Sequence, residues 1–543
     1  MLSRQFILLV TVIVAIIWFS LLGYRDLIDP DEGRYAEIPR EMVASGDWLT
    51  PRLNGFKYFE KPALQYWATA AGFSLFGESN LTARLWPALL GFLGALWAGY
   101  LGLRLYGKTA GFYAFVMTVS GLLYVSLGHM LSLDMALSVF VAIGVGSLAL
   151  AQSRREDPAW LRRWMLVGWA SLALAMLTKG LIALVLPAGT VLLYSVWQRD
   201  WVLWKHLHIA KGLLLFLLLA APWFIAVSLA NPEFAQFFFI HEHFERYTSE
   251  VHDRIEPWWY FIPVFMAGVL PWTAVTLQSL YRPLVQAGTR TVTGFDAERF
   301  LLVFTVFVLA FFSLGQSKLA SYILPAMPMV AVLAGRQMAA KGYRKTDAWS
   351  LLLLAVVLLA SAWQAPRFAS DATPAAMFVA YRPWFIAASV LLAIAALAGF
   401  RARPTRPVHV ATIGILVLLA FQLLTWGFQC LSGSRSSRDL AMAIQATVPD
   451  GTVVFAVATY PHSLPFYLQH TITLVSKRDE MKMGINLEPE RWVATTEEFL
   501  DQWQSHEQAI AVFRTKSFDH YRKHLGPVRV IYSGLRRTAV VKQ

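Results

Sequence analysis

Charge is scarce in this chain. Of 543 residues only 15% are Asp, Glu, Lys or Arg, while 57% are hydrophobic. A soluble chain of this length would carry far more charge. Cysteine is almost absent. The single Cys430 excludes an intramolecular disulfide, a Cys₄ zinc site and an iron–sulfur cluster. No internal repeat and no low-complexity tract is visible, which argues against the paired halves usual in transporters. Acidic residues are the minority among the charges, 34 against 47 Lys and Arg. The excess of base has two readings, basic loops on one side of a membrane or an anionic lipid substrate.

What the chain does have is a succession of apolar runs, and its mean hydropathy is +0.50. Runs of roughly 18–22 residues read as transmembrane helices. Candidate spans are 6–22, 84–105, 109–127, 131–151, 164–178, 180–197, 211–229, 260–281, 299–315, 319–338, 349–365, 383–400 and 408–428. The first has no small-residue cleavage site and is read as a retained anchor. The stretch Ala63–Gly77 is too short for the roughly 30 Å hydrocarbon core and is read as an interfacial helix, started by Pro62 and stopped by Gly77. Loops with Arg104, Arg154, Arg199, Arg282, Arg344 and Arg401 then share one side, the cytoplasm by the positive-inside rule. The outer face collects 23–83, 128–134, 230–259 and the tail after 429. The expected fold is a polytopic α-helical membrane protein of about 13 transmembrane helices, with periplasmic interfacial helices and a C-terminal α/β soluble domain. Its domains are 1–430, with loops 23–83 and 230–259 forming the active-site face, and 431–543.

In the tail, Thr452–Ala458, Ile472–Val475, Ala509–Phe513 and Val528–Tyr532 read as strands. Helices are expected near 496–504 and 517–524, and Ser436 and Ser437 are placed to cap one beginning near Arg438.

Several polar residues gather on the outer face. Asp29, Asp31, Glu32 and Arg34 begin a short surface helix, with Asp29 as N-cap and Pro30 at its first position. Tyr35, Ile38 and Met42 of that helix are set to face lipid. Asp134, in Gly128-His129-Met130-Leu131-Ser132-Leu133-Asp134, is a lone carboxylate in apolar surroundings, a functional candidate by default. Its plain alternative is a helix cap. Lys179 and Lys318 lie at the outer face against the charge trend. Snorkelling to head groups and binding a lipid-linked phosphate are both open for them. Glu60, His241 and His243 have ligand chemistry for zinc. The competing reading is histidines that only bond lipid or water.

Taken together, Asp-Glu-Gly-Arg-Tyr-Ala-Glu (31–37), Gly-Asp-Trp-Leu-Thr-Pro-Arg-Leu-Asn-Gly (46–55), Tyr-Phe-Glu-Lys-Pro (58–62), Leu-Thr-Lys-Gly (177–180) and Ser-Lys-Leu-Ala-Ser-Tyr-Ile-Leu-Pro-Ala-Met-Pro (317–328) resemble the bacterial lipid A aminoarabinose transferases, ArnT. These are polyprenyl-phosphate-sugar glycosyltransferases of the GT-C fold, related to protein O-mannosyltransferases. The resemblance covers almost the whole chain. One departure is Ala63, where relatives often have a second proline, and it leaves the helix start intact.

The resemblance implies inverting transfer of 4-amino-4-deoxy-L-arabinose from undecaprenyl phosphate to a lipid A phosphate, in the Gram-negative inner membrane, with active site and tail facing the periplasm. That modification gives resistance to polymyxin and cationic peptides. It makes Asp31 and Asp134 the leading catalytic residues. Lys61, Arg246, Lys179 and Arg34 become donor-phosphate ligands, and Tyr58, Lys318 and Tyr322 substrate-binding residues. Glu60 with His241 resembles a structural zinc site. No cofactor is expected for catalysis, nor any nucleic-acid partner, and the protein is expected to be a monomer among membrane lipids. A relative moving another sugar, or to a protein or core-sugar acceptor, is the alternative. A lipid-linked sugar transporter is more distant.

Overall fold

The computed structural model describes residues 2–245, 256–285, 294–402 and 406–543; for 241–245 and Asp479 the backbone alone is described. Every expected span is helical. Among the described residues, eight helices are long and apolar enough to cross a membrane, or ten if each of two bent pairs is one span. The chain is a multi-pass membrane protein. Arg4–Phe19 and Ile182–Gln198 are shorter apolar helices, and Pro158–Lys179 is a longer one bearing Arg162 and Arg163. The bent pairs, Lys108–Val119 with Leu122–Gly128 and Phe261–Gly268 with Thr273–Val285, turn by 61° and 116°. Their breaks face each other. Leu122 N–H donates to the Leu270 carbonyl at 3.1 Å, and Trp272 Nε1 to Ser120 Oγ at 2.9 Å. Backbone freed from a helix inside a membrane needs such partners.

The basic loops do collect at one end of the bundle. Arg155 pairs with Asp200 at 3.1 Å, Arg299 bonds Gln198 at 2.8 Å, and Arg344 bonds Gln278 at 2.7 Å. The segment at 63–77 is the 13-residue helix Leu64–Phe76, closed by Gly77 at φ 79°. At 1.5 Å per residue it reaches only about 20 Å.

The tail folds as a six-stranded mixed sheet. Its order is Trp492–Val493, Thr473–Val475, Val454–Val457, Ile510–Arg514, Arg537–Lys542, Val528–Ser533. The first four strands run parallel and the last two pairings are antiparallel. Alternate side chains face opposite ways. Phe455, Val457 and Phe513 pack on Phe499 and Trp503. Val454, Ala456 and Val512 share a core with Tyr35, Ile38 and Met42 from the other end of the chain. One face of the domain is therefore glued to the helix Asp31–Ser45.

That contact corrects three expectations. The helix is not a surface helix, since Glu32 through Met42 are all buried. Tyr35, Ile38 and Met42 meet the C-terminal domain rather than lipid. Asp29 is not the N-cap, a position Pro30 takes. Its carboxylate instead accepts from Ser463 N–H at 2.7 Å and from the Ser437 hydroxyl at 3.0 Å. The same bond diverts Ser437 from capping, although it holds the N-cap position of Arg438–Gln445. Gly33 permits the close approach, because a Cβ there would lie 2.5 Å from Ser463 N.

Buried acids in this interface give it a pH dependence. Burial pushes the Glu41 carboxyl up, and Glu37 beside it pushes further, to about 8. Between the ordinary glutamate value and about 8, the folded protein then holds a proton that the unfolded chain has lost. Stability declines as pH rises through that window and levels off above it. Thermal unfolding of the detergent-solubilised protein from pH 5 to 9 is expected to show this fall. Glu41→Gln is expected to flatten it, and an unchanged slope in that variant would contradict the assignment.

Candidate active site

Five segments build the site: the start of helix Asp31–Ser45, the start of helix Leu133–Ser153, the end of helix Pro158–Lys179, and the stretches 58–61 and 318–322. What fixes the first against the second is Glu32. Its carboxylate is fully buried against Arg84, with Nε–Oε1 and Nη2–Oε2 both 2.7 Å. It also accepts from the N–H groups of Leu131 at 3.0 Å and Ile28 at 3.1 Å. Burial alone would raise this carboxyl; the Arg84 guanidinium outweighs that and holds it at about 2. The remaining Arg84 hydrogens go to the carbonyls of Leu22, Arg25 and Asp26 at 3.1, 2.6 and 2.8 Å.

On this frame Asp31 and Asp134 come to the same face. Asp31 is 53% exposed, with Oδ1 accepting from Arg34 Nη2 at 2.8 Å. Arg34 is buried. It donates to Tyr58 Oη at 3.0 Å and pairs with Glu480 at 2.8 Å, and Glu480 in turn meets His462 at 2.8 Å. Asp134 lies in the first turn of its helix, whose N-cap is Ser132. It pairs with Lys179 and bonds the Ser321 side chain. Lys179 also sits 5.0 Å from the Tyr322 ring centroid. Burial pushes the Tyr35 phenol far up; Arg34 opposes this, and Asp31, Glu60 and Asp134 add to it. Tyr35 is thus a neutral hydroxyl amid the acids.

Lys61 donates to the Glu60 carbonyl at 2.7 Å, and its ammonium is 3.9 Å from the Glu60 carboxylate. Lys318 is buried and donates to the Glu256 carbonyl at 2.8 Å, which ties it to the loop before the second bent pair. Arg246, and the side chains of His241 and His243, lie outside the described residues. Lys57 pairs with Glu233 at 2.7 Å, so loops 23–83 and 230–259 do meet.

Sequence reasoning missed Glu480, Arg84 and the placement of Tyr35. Glu480 carries no local signal, because it reaches Arg34 only once the tail has docked. Arg84 had one: an arginine near the start of an apolar helix needs a partner.

These residues make a multi-pass helical membrane protein with carboxylates and cations converging at one end, beside a small mixed sheet. Known proteins agree. Residues 3–238 match the family described as Dolichyl-phosphate-mannose-protein mannosyltransferase, and residues 440–542 match the Aminoarabinose transferase C-terminal domain. The crystal structure of ArnT from Cupriavidus metallidurans bound to undecaprenyl phosphate superposes with a TM-score of 0.93 at 31% identity, covering 99% of this chain and 98% of that one. The chain belongs to the ArnT family. The undecaprenyl phosphate-alpha-4-amino-4-deoxy-L-arabinose arabinosyl transferases of Erwinia tasmaniensis and Pseudomonas aeruginosa are 31% and 32% identical, over 66% and 61% of this chain. Those alignments span 66% and 59% of the relatives' own length. An Archaeoglobus fulgidus oligosaccharyltransferase shares the fold alone, at 14% identity and a TM-score of 0.54 over 96% of this chain and 71% of that one.

Proposed function

We propose that this protein transfers 4-amino-4-deoxy-L-arabinose from undecaprenyl phosphate to a phosphate of lipid A, inverting the anomeric centre. The observation that carries the reading is the meeting of Asp31–Arg34–Tyr58 with Asp134–Lys179 at one end of a bundle that follows ArnT over its whole length. The reaction breaks the bond from the anomeric carbon to the donor phosphate oxygen, which leaves with the electron pair. An oxygen of the acceptor phosphate forms the new bond from the opposite face.

A lipid A phosphate is already ionised near neutral pH, so a general base would contribute little of its usual ~10²–10⁴-fold. Asp31 and Asp134 instead hold the sugar ammonium and stabilise positive charge growing at the anomeric carbon. Lys61, Arg246 and Arg34 balance charge on the departing phosphate, with arginine able to fork onto two oxygens, while Lys179, a second candidate phosphate ligand, is held by Asp134 and orients that carboxylate. Tyr58, Tyr322 and Lys318 line the substrate. The reading sets 13 spans in a Gram-negative inner membrane, with this site and the tail periplasmic and the protein a monomer. A structural zinc at Glu60 with His241 and His243 rests on ligand chemistry alone, and no step passes through it.

The test is survival under polymyxin with mass analysis of lipid A, in a strain lacking its own aminoarabinose transferase. Expression of this chain is expected to restore resistance and add the aminoarabinose mass. Asp31→Asn at matched membrane levels is expected to add none. A folded parent that adds no such mass would move the reading to another sugar or acceptor; an Asp31→Asn variant as active as the parent would remove Asp31 from the mechanism.

A further inference from the structure

The last apolar helix ends at Gly427, and the chain enters the tail domain through residues 428–437. Between this connector and the antiparallel edge of the sheet lies a cavity of about 50 Å³. Arg435, Arg536 and Arg537 line it, with Ser436, Ser437 and Asp29. Among the described residues none of the three arginines has a carboxylate within ion-pair distance. Arg537 spends Nη1 on the Arg536 carbonyl at 3.2 Å, and its buried Nε has no hydrogen-bond partner. Among the described residues Asp29 is the only acid in the wall, and its oxygens already accept from Ser463 and Ser437. Arg514 stands opposite Arg537 in register on the neighbouring strand and adds another positive charge.

Like charges gathered without counterions cost free energy unless an anion joins them. Burial holds Arg536 and Arg537 below the ordinary arginine range; Arg435 pushes Arg536 the same way, and Arg514 and Arg536 push Arg537, while Asp29 opposes both. Forked guanidinium donors suit the oxygens of a phosphoryl group. The Ser437 hydroxyl is given to Asp29, and the Ser437 and Arg438 N–H groups to Ser463 and Ser436, so the guanidinium groups supply the donors for an anion on this wall. The cavity lies directly after an apolar helix that ends at Gly427, and a chain leaving the hydrocarbon passes the lipid head groups first.

We propose that this cavity binds a phosphoryl group, presented by a lipid head group at the membrane surface. It is separate from the transfer site. Asp29 N–H donates to the Arg435 carbonyl at 2.7 Å, so the cavity wall continues into the residues that lead to helix Asp31–Ser45.

The test uses the full chain in detergent, without donor. Native mass spectrometry would follow titration with lipid A, with phosphatidylglycerol, with phosphatidylcholine and with inorganic phosphate. The parent is expected to hold one phosphorylated ligand that Arg536→Gln/Arg537→Gln binds about tenfold or more weakly. Arg536→Lys/Arg537→Lys is expected to keep most of the affinity, and Lys523→Gln on the exposed far side all of it. Asp31→Asn is expected to leave this ligand in place, which separates the cavity from the transfer site. Displacement by inorganic phosphate at millimolar level would assign the group to free phosphate; displacement by anionic lipids alone would assign it to a head group. Should the double variant unfold, exposed Arg435→Gln is expected to weaken binding several-fold by itself. Equal binding by the parent and the folded arginine variants would overturn the proposal. Because no donor is used, a chain that transfers nothing can still bind here, and an active chain can fail to.

Discussion

Arg84→Met is expected to cost the folded protein about 3–5 kcal/mol, the scale for removing one partner of a buried ion pair. All five N–H groups of Arg84 are engaged: two on Glu32, and three on the carbonyls of Leu22, Arg25 and Asp26. Methionine fills a similar volume and offers none of them. Glu32 would be left as a buried carboxylate with only the Leu131 and Ile28 N–H groups. Arg84→Lys should fall between, because an ammonium restores the charge but not the planar fork. Membrane abundance by immunoblot and unfolding temperature in detergent check this. An Arg84→Met protein that accumulates and melts like the parent would show that the pair is not what holds the two helix starts together. Glu32→Gln is expected to destabilise as well, since its one carbonyl oxygen still accepts from Arg84 but its NH₂ is set against an Arg84 N–H and a backbone N–H that the carboxylate had accepted.

This pair also shows where the sequence stops being readable. The bundle was legible because lipid demands long apolar runs, and each expected run is a helix or a bent pair. The helix at 64–76 was legible from its length, from the charge bias of the loops and from Gly77 at its end. Four strands of the tail were foreseen from runs of apolar and β-branched residues. Trp492–Val493 is too short to register. Arg537–Lys542 has only Ala539, Val540 and Val541 between polar ends and becomes a strand by pairing on both sides. The helix Asp31–Ser45 reads as a surface helix with Tyr35, Ile38 and Met42 toward lipid, because Asp31, Glu32, Arg34, Glu37, Arg40 and Glu41 make most of it polar. Its burial depends on Arg84, Glu480 and Ser463, which lie far away in sequence. Local pattern carries no record of such partners. The shared face of Asp31 and Asp134 was legible from topology, because charge bias fixed the parity of the spans. Their surroundings were not, and Lys179, which the sequence leaves open between a phosphate ligand and a snorkelling side chain, is paired with Asp134.

That pairing leads to the second large effect. Asp134→Asn is expected to lower the turnover of aminoarabinose transfer about 10²–10³-fold, the scale for removing one preorganised electrostatic contact. Asparagine keeps the shape and can still meet Lys179 and Ser321, so the fold should survive and the loss should fall on kcat. Lys179 has two ways to act. As a positioning residue it orients Asp134 from between that carboxylate and the Tyr322 ring; as an independent ligand it would meet the donor phosphate directly. A double-mutant cycle separates them. If Lys179 acts through Asp134, the Asp134→Asn/Lys179→Met enzyme will be no slower than Asp134→Asn alone, and Lys179→Arg will restore much of the rate lost in Lys179→Met. Losses that multiply would make Lys179 a phosphate ligand in its own right, and KM for the donor should then rise in Lys179→Met whether or not Asp134 is present. Initial rates with purified donor and lipid A in detergent give both constants. The non-multiplying outcome is expected, because an ammonium already held by a carboxylate has less charge to offer a second anion.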